Sequence, residues 1–155
     1  MRASPRRRAR EFALQGLYQR QLSGNSALAI RTQIGEATGF AKADVDYFDV
    51  LWSGVAAEYD DLLALCAPYL DRPAGQLSPI ERAILVIGAW ELRHRVEIPY
   101  RVVINEAVDL AKAYGGTDGH KYVNGVLDKL AAQARATEIA AANAGRAAGV
   151  ADTRA

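Results

Sequence analysis

The stretch "SPIERAILVIGAWELRHR", residues 78–95, constrains the fold of this chain more than any other. Ser78 can cap a helix N-terminus, Pro79 suits the first helical position, and Glu81 follows three residues after the serine, so the run opens as a complete capping box. From Ala83 to Trp90 every residue is apolar or glycine, and no polar face emerges until Glu91. A helix that is apolar on all sides needs other elements around it, so this one is expected to be central and buried. The remaining valines and isoleucines recur at helical rather than alternating spacing, so the expected partners are helices and the fold class is all-α.

Five further helices can be placed around it. Ser4 and Pro5 cap and start one that runs to about Leu22, where Ser23-Gly24-Asn25 stops it, with Leu14, Leu17, Tyr18 and Gln21/Leu22 as a modest apolar stripe. A weaker helix covers Ser26 to about Ala37. Asp44 opens a long one in which Phe48, Leu51, Trp52, Val55, Tyr59, Leu62, Leu63 and Cys66 keep helical spacing until Pro68 closes it. Pro99 starts a fifth, with Ile104, Ala107, Val108 and Ala111 inward, ended by Gly115-Gly116. Thr117 or Asp118 caps a sixth, with Val123, Val126, Leu127 and Leu130 as its stripe. The proline- and glycine-bearing stretch 68–77 is the expected linker between subdomains at about 4–67 and 78–135 of a single domain, 1–135. Residues 136–155 are nine-twentieths alanine without an apolar face, so a disordered tail or frayed helix is expected there.

Charge is distributed unevenly along this helical frame. The net charge is +1, yet the first ten residues carry five arginines and no acid, leaving about −4 for the rest. Arg6, Arg7, Arg8 and Arg10 span little more than one turn and fan around their helix. Cations at a helix N-terminus oppose the macrodipole and repel one another, so stability alone does not favour the arrangement. A polyanion reverses both penalties, which points to nucleic acid, with an anionic partner protein or a membrane surface as the alternatives. The longest apolar run, "AILVIGAW", is far short of a membrane span, and Glu11, Gln15, Gln19 and Arg20 interrupt what a signal peptide would need to keep apolar. One cysteine, Cys66, excludes an intramolecular disulfide. A cytoplasmic location follows as an expectation.

Catalytic patterns are missing from the sequence: it contains no CxxC, HExxH, GxSxG or phosphate-cradling glycine loop. Glu91 and His94 have i, i+3 spacing compatible with two metal ligands, but no third ligand accompanies them. Neither an enzyme, a cofactor nor a metal is expected. In "GGTDGHKYVNGVLDK", by contrast, Asp118, Tyr122, Gly125 and Lys129 share the face opposite the apolar stripe. Tyr122 beside Lys121 can stack an unpaired base, or pack on a neighbouring helix where Gly125 leaves room. Tyr18 poses the same choice. Asp118 also reads as an ordinary N-cap and Glu81 as the capping-box acid.

"RRRARE", "ALQGLYQRQLS" and "IPYRVVINEAVDLAKAYGGTDGHKYVNGVLDKLA" together resemble the NusB family of bacterial transcription antitermination factors, over about Arg6 to Arg135. The resemblance implies two three-helix bundles packed across each other. It implies binding of boxA RNA in nascent ribosomal transcripts together with NusE, a small-subunit ribosomal protein, within the RNA polymerase antitermination complex, and it leaves a homodimer open. It assigns Arg6, Arg7, Arg8 and Arg10 to an arginine-rich RNA-binding motif, Tyr18, Asp118, Lys121 and Tyr122 to positions at or near the RNA, and Glu81 to the NusE contact. Tyr122 stands where phenylalanine is common, and Gly119 is an oddity expected to loosen the helix start. The competing expectation is a helical interaction module or ribosome-biogenesis factor that binds an acidic partner, with RNA incidental.

Overall fold

Serine and aspartate side chains start the helices where the sequence places them. Ser4, Ser26, Asp44 and Ser78 each accept a hydrogen bond from the backbone N–H three residues on, at 3.0–3.1 Å. The computed structural model describes the backbone of residues 3–154 and the side chains of residues 3–146. Its helices are α1 (Pro5–Ser23), α2 (Ala27–Gly35), α3 (Val45–Ala57), α4 (Tyr59–Cys66), α5 (Pro79–His94), α6 (Tyr100–Tyr114), α7 (Gly119–Ala134) and α8 (Ala136–Arg154), with no strand among the described residues. Helices α1–α3 form one bundle and α5–α7 the other. The expected central helix is α5. Every residue from Ala83 to Leu92 is buried, and α5 packs against α1, α3, α4, α6 and α7.

Beneath α1, Phe12, Phe40 and Phe48 meet edge to face at 5.3 and 5.2 Å, and Phe48 stacks on Trp52 at 6.3 Å. Such aromatic pairs add roughly 0.5–1.5 kcal/mol each to what burial supplies. Where α3 crosses α5 the approach is close: a Cβ on Gly54 would overlap the Trp90 indole at its nitrogen.

Three local readings change. The single helix expected from Asp44 to Cys66 breaks at Glu58, whose backbone leaves the helical region (φ −108°, ψ 16°). Glu58 there meets His94 Nε2 at 2.7 Å and Arg93 Nη1 at 3.6 Å, and the turn brings Leu62 and Cys66 of α4 down onto α5. The α1 stripe narrows, because Leu14 and Leu17 are buried while Tyr18 and Leu22 are 38% and 64% exposed. The segment expected as a disordered tail or frayed helix is helical over Ala136–Arg154, its final residue lying outside the described ones. Its first turn is anchored: Glu138 accepts the Tyr100 N–H at 2.9 Å, capping α6 where Pro99 has no side chain to do so, and Ile139 packs on the core.

Arg135, the last residue of the expected domain, is buried at 4% exposure. It donates to the carbonyls of Glu91, Leu92, Arg95 and Ile98 at 2.7–3.2 Å, and to Glu138 at 2.6 Å. A cation at the C-terminal end of α5 satisfies the Leu92 carbonyl, which has no helical partner, and complements the dipole.

Candidate nucleic-acid interface

Helix α1 sorts its four arginines by face. Arg10 lies three and four residues before Ala13 and Leu14 and seven before Leu17, so helical spacing turns it into the core. There it is 3% exposed and forms a forked pair with Glu91, Nε to Oε1 and Nη2 to Oε2, both at 2.9 Å. Tyr47 donates its hydroxyl to the same carboxylate. Burial, then the adjacent Glu91 charge, push the Tyr47 phenol well above its ordinary value, so it is a donor at any physiological pH. Glu91 therefore faces Arg10 and not His94, which pairs with Glu58; the i, i+3 metal-pair reading of Glu91 and His94 does not describe their geometry.

Arg7 turns to α6, where Nε meets Glu106 at 2.9 Å and Nη2 meets Asp109 at 2.7 Å. Arg6 lies 4.1 Å over the Tyr47 ring and 3.7 Å from Asp44. Both stay partly exposed, at 41% and 37% of their side chains for Arg6 and Arg7. Arg8 alone of the four has no ion pair among the described residues. It shares a face with Glu11, Gln15 and Tyr18, at i, i+3, i+7 and i+10, and these four line a cavity of about 360 Å³ closed by Ile80 of α5 and Tyr114 of α6.

The second sequence block lines a different cavity. The start of α5 (Glu81), the turn at Gly116 and Thr117, Asp118 before α7, and Gly119 and Tyr122 of α7 surround about 270 Å³ with Arg72. Gln21 holds the two helices in register by donating to the Pro79 carbonyl at 3.2 Å and accepting from Arg82 Nε at 2.9 Å. Arg8 and Tyr18 thus line one cavity and Glu81, Asp118 and Tyr122 another, with the neighbouring residues Ile80 and Glu81 of α5 contributing one to each. Asp118 is exposed and makes no capping bond, contrary to its ordinary reading; Lys121 Nζ lies 3.5 Å from it.

Glu81 also departs from its expected part. Ser78 caps the Glu81 N–H, but no reciprocal bond from the glutamate side chain completes a box. The carboxylate reaches across to α7, where a Cβ on Gly119 would fall 2.5 Å from Oε1. Gly119 makes room for this carboxylate at the α7 N-terminus, where the helix dipole favours a negative charge. The hydroxyl that distinguishes Tyr122 from phenylalanine accepts the Asp71 N–H at 3.2 Å, and the Arg72 guanidinium sits 5.3 Å over its ring. Tyr122 is half-buried and packs against the core, as the packing alternative expects, with its hydroxyl edge fastened to the 68–77 connection. Paired with Arg72, exposed Asp71 keeps its carboxyl low, at about 2.

Sequence reasoning missed the burial of Arg10, the inward turn of Glu91 and the clamp at Arg135. The first two carried a signal, since each falls on the stripe of its own helix. Among the described residues, no group of three or more His, Cys, Asp and Glu is placed to hold a metal, and no helix is long and apolar enough to cross a membrane.

A family model described as the NusB family matches residues 7–132. The transcription antitermination protein NusB of Aromatoleum aromaticum is 57% identical over 136 residues, 88% of this chain and 94% of that protein. That of Ralstonia nicotianae is 58% identical over 138 residues, 89% of each. Among solved structures, T. maritima NusB superposes with a TM-score of 0.73 at 26% identity, covering 84% of this chain and 92% of that one. A crystal structure of antitermination factors NusB and NusE in complex with dsRNA gives a TM-score of 0.74 at 25% identity, covering 81% and 94%.

Proposed function

The chain belongs to the NusB family of transcription antitermination proteins, and we propose that it binds boxA RNA of nascent ribosomal transcripts together with NusE on the face that joins α1 to the starts of α5 and α7. The family is one of RNA-binding factors, not enzymes, so the work is non-covalent. The observation that carries the reading is that Arg8, which has no ion pair among the described residues, lines one cavity with Tyr18, while Asp118 and Tyr122 line a second at the start of α5, with Lys121 beside Asp118. Arg8 and Lys121 supply phosphate attraction blind to sequence, while the tyrosine rings and the polar edges around them read unstacked bases. Arg6 and Arg7 reach phosphates by exchanging carboxylates for them. Arg10 supports this surface from beneath through Glu91. Glu81, at the margin of the face, is the contact for NusE.

In this reading residues 1–135 act as one domain with subdomains at about 4–67 and 78–135, working in the cytoplasm within the RNA polymerase antitermination complex. A homodimer that covered the same face would hold the RNA surface in reserve. The test is a gel shift of boxA RNA with and without NusE across a salt series. Four phosphate contacts, by Arg6, Arg7, Arg8 and Lys121, give a slope of log affinity on log salt of about −3, at roughly −0.7 per contact on single strands. Arg8→Ala flattens it by about one contact. Binding indifferent both to boxA sequence and to NusE refutes the proposal.

A further inference from the structure

Resting on that RNA-binding reading, we infer that the cavity between α1, the start of α5 and the end of α6 is a pocket for one unpaired guanine of the bound RNA, with Glu11 reading its Watson–Crick edge and Arg8 on the adjoining phosphate. At about 360 Å³ the cavity falls within the range of small-ligand sites, roughly 300–1,000 Å³. Phe12, Leu14 and Ile80 give it an apolar lining, and the half-exposed Tyr18 and Tyr114 rings stand in its wall. A flat ring with apolar faces and a polar rim suits such a lining.

The polar groups select the base. The Tyr114 hydroxyl donates to Oε2 of Glu11, fixing the carboxylate in the cavity wall. That bond, followed by burial, pushes the Tyr114 phenol up to about 12, so it remains a donor at neutral pH. An ionised carboxylate only accepts and has about four lone-pair sites, so one tyrosine bond leaves both oxygens able to take more. Guanine alone among the four bases presents two N–H donors side by side, at N1 and the N2 amino group, matching the two oxygens. Uracil offers one donor between acceptors, and adenine and cytosine set a donor beside an acceptor. Arg8, unlike Arg6, Arg7 and Arg10, is not already committed to a carboxylate. A glutamate on an RNA-facing surface repels phosphate, so a base contact and a bare charge have opposite effects on affinity. That contrast makes the inference testable.

The experiment measures binding of labelled boxA RNA to the full chain with NusE, for the parent and Glu11→Gln, using RNA with its guanines replaced one at a time by inosine, which lacks the N2 amino group. Thermal melting confirms that the variant is folded, and Tyr114→Phe, which keeps the ring and frees the carboxylate, serves as a second variant. The expected result is that one inosine position weakens parent binding about tenfold. Glu11→Gln weakens guanine RNA about equally, despite its lost negative charge, and erases the inosine penalty at that position. Tyr114→Phe reduces the same penalty. Equal or tighter binding by Glu11→Gln, or an inosine penalty unchanged in both variants, overturns the pocket. So does a loss of NusE affinity in Glu11→Gln without RNA, which would mean a protein side chain fills it. If Arg8→Ala weakens RNA binding while Glu11→Gln does not, only the pocket fails; if no variant discriminates boxA from other RNA, the broader reading fails with it.

Discussion

Arg10 and Arg8 sit two residues apart in the same arginine run, and the structure gives them opposite duties. Replacing Arg10 by alanine removes a guanidinium whose side chain is 4% exposed and strands a Glu91 carboxylate that is 1% exposed. Tyr47 alone then remains as a donor to it. Breaking one partner out of a buried pair typically costs about 3–5 kcal/mol, a large share of the roughly 5–15 kcal/mol that holds a domain together. For a chain of this size each kcal/mol moves the midpoint by roughly 2–4 °C, so Arg10→Ala is expected to melt roughly 6–20 °C lower by far-ultraviolet circular dichroism. Arg8→Ala, which removes no ion pair, is expected to stay within about 0.5 kcal/mol of the parent while losing RNA affinity. Substituting both members of the pair, Arg10→Met with Glu91→Leu, leaves no stranded charge and is expected to recover much of the loss. If Arg10→Ala melts with the parent, Arg10 is not the buried support described here, and the division of labour along α1 is wrong.

Gly54→Ala is expected to destabilise by about 1–3 kcal/mol in urea titrations, although alanine is the better helix former. Its methyl would overlap the Trp90 indole, which is boxed into the core and cannot swing away. No loss would mean α3 and α5 separate easily. Cys66 is fully buried and its thiol is pushed up to about 12 by burial, so an aromatic disulfide reagent at pH 8 should modify it only as fast as the protein opens. Because the folded value lies above the unfolded one, this group's contribution is complete below about pH 9 and declines as pH rises towards 12; stability that climbs over that window would contradict the assignment. Glu81→Lys is expected to cost only about 1 kcal/mol of stability, from a cation replacing the carboxylate at the α7 N-terminus, since the Ser78 cap is to a backbone N–H and survives, while NusE affinity falls about tenfold. An unfolded variant would return Glu81 to a structural role.

Much of the frame could be read from spacing alone. The buried α5, the stripes of α6 and α7 and the serine and aspartate caps depend on local periodicity and side-chain reach, both of which a sequence carries. Breaks and long-range contacts were less legible. Nothing in residues 44–66 marks Glu58 as a bend, and the side chains it meets there, Arg93 and His94, belong to another helix. The helical start of the tail depends on Glu138 finding the end of α6, a contact 38 residues away. For the binding surface, residue type misled where residue face would have helped. Four arginines in one run suggest four equivalent contacts, yet Arg10 shares the stripe of Ala13, Leu14 and Leu17. Gly119 looked like a weak helix start and is the space that Glu81 occupies. Nothing in the sequence marks Glu11, Gln15 and Tyr114 as binding residues, because the cavity they line exists only once α1 and α6 are side by side.

Hydrogen–deuterium exchange of the full chain with NusE, with and without boxA RNA, tests the surface most directly. RNA is expected to protect backbone amides at the N-terminal half of α1, the first turn of α5 and residues 115–125, leaving the outer faces of α2 and α3 unchanged. Protection centred on α2 and α3, with none at the starts of α1 and α7, would contradict it.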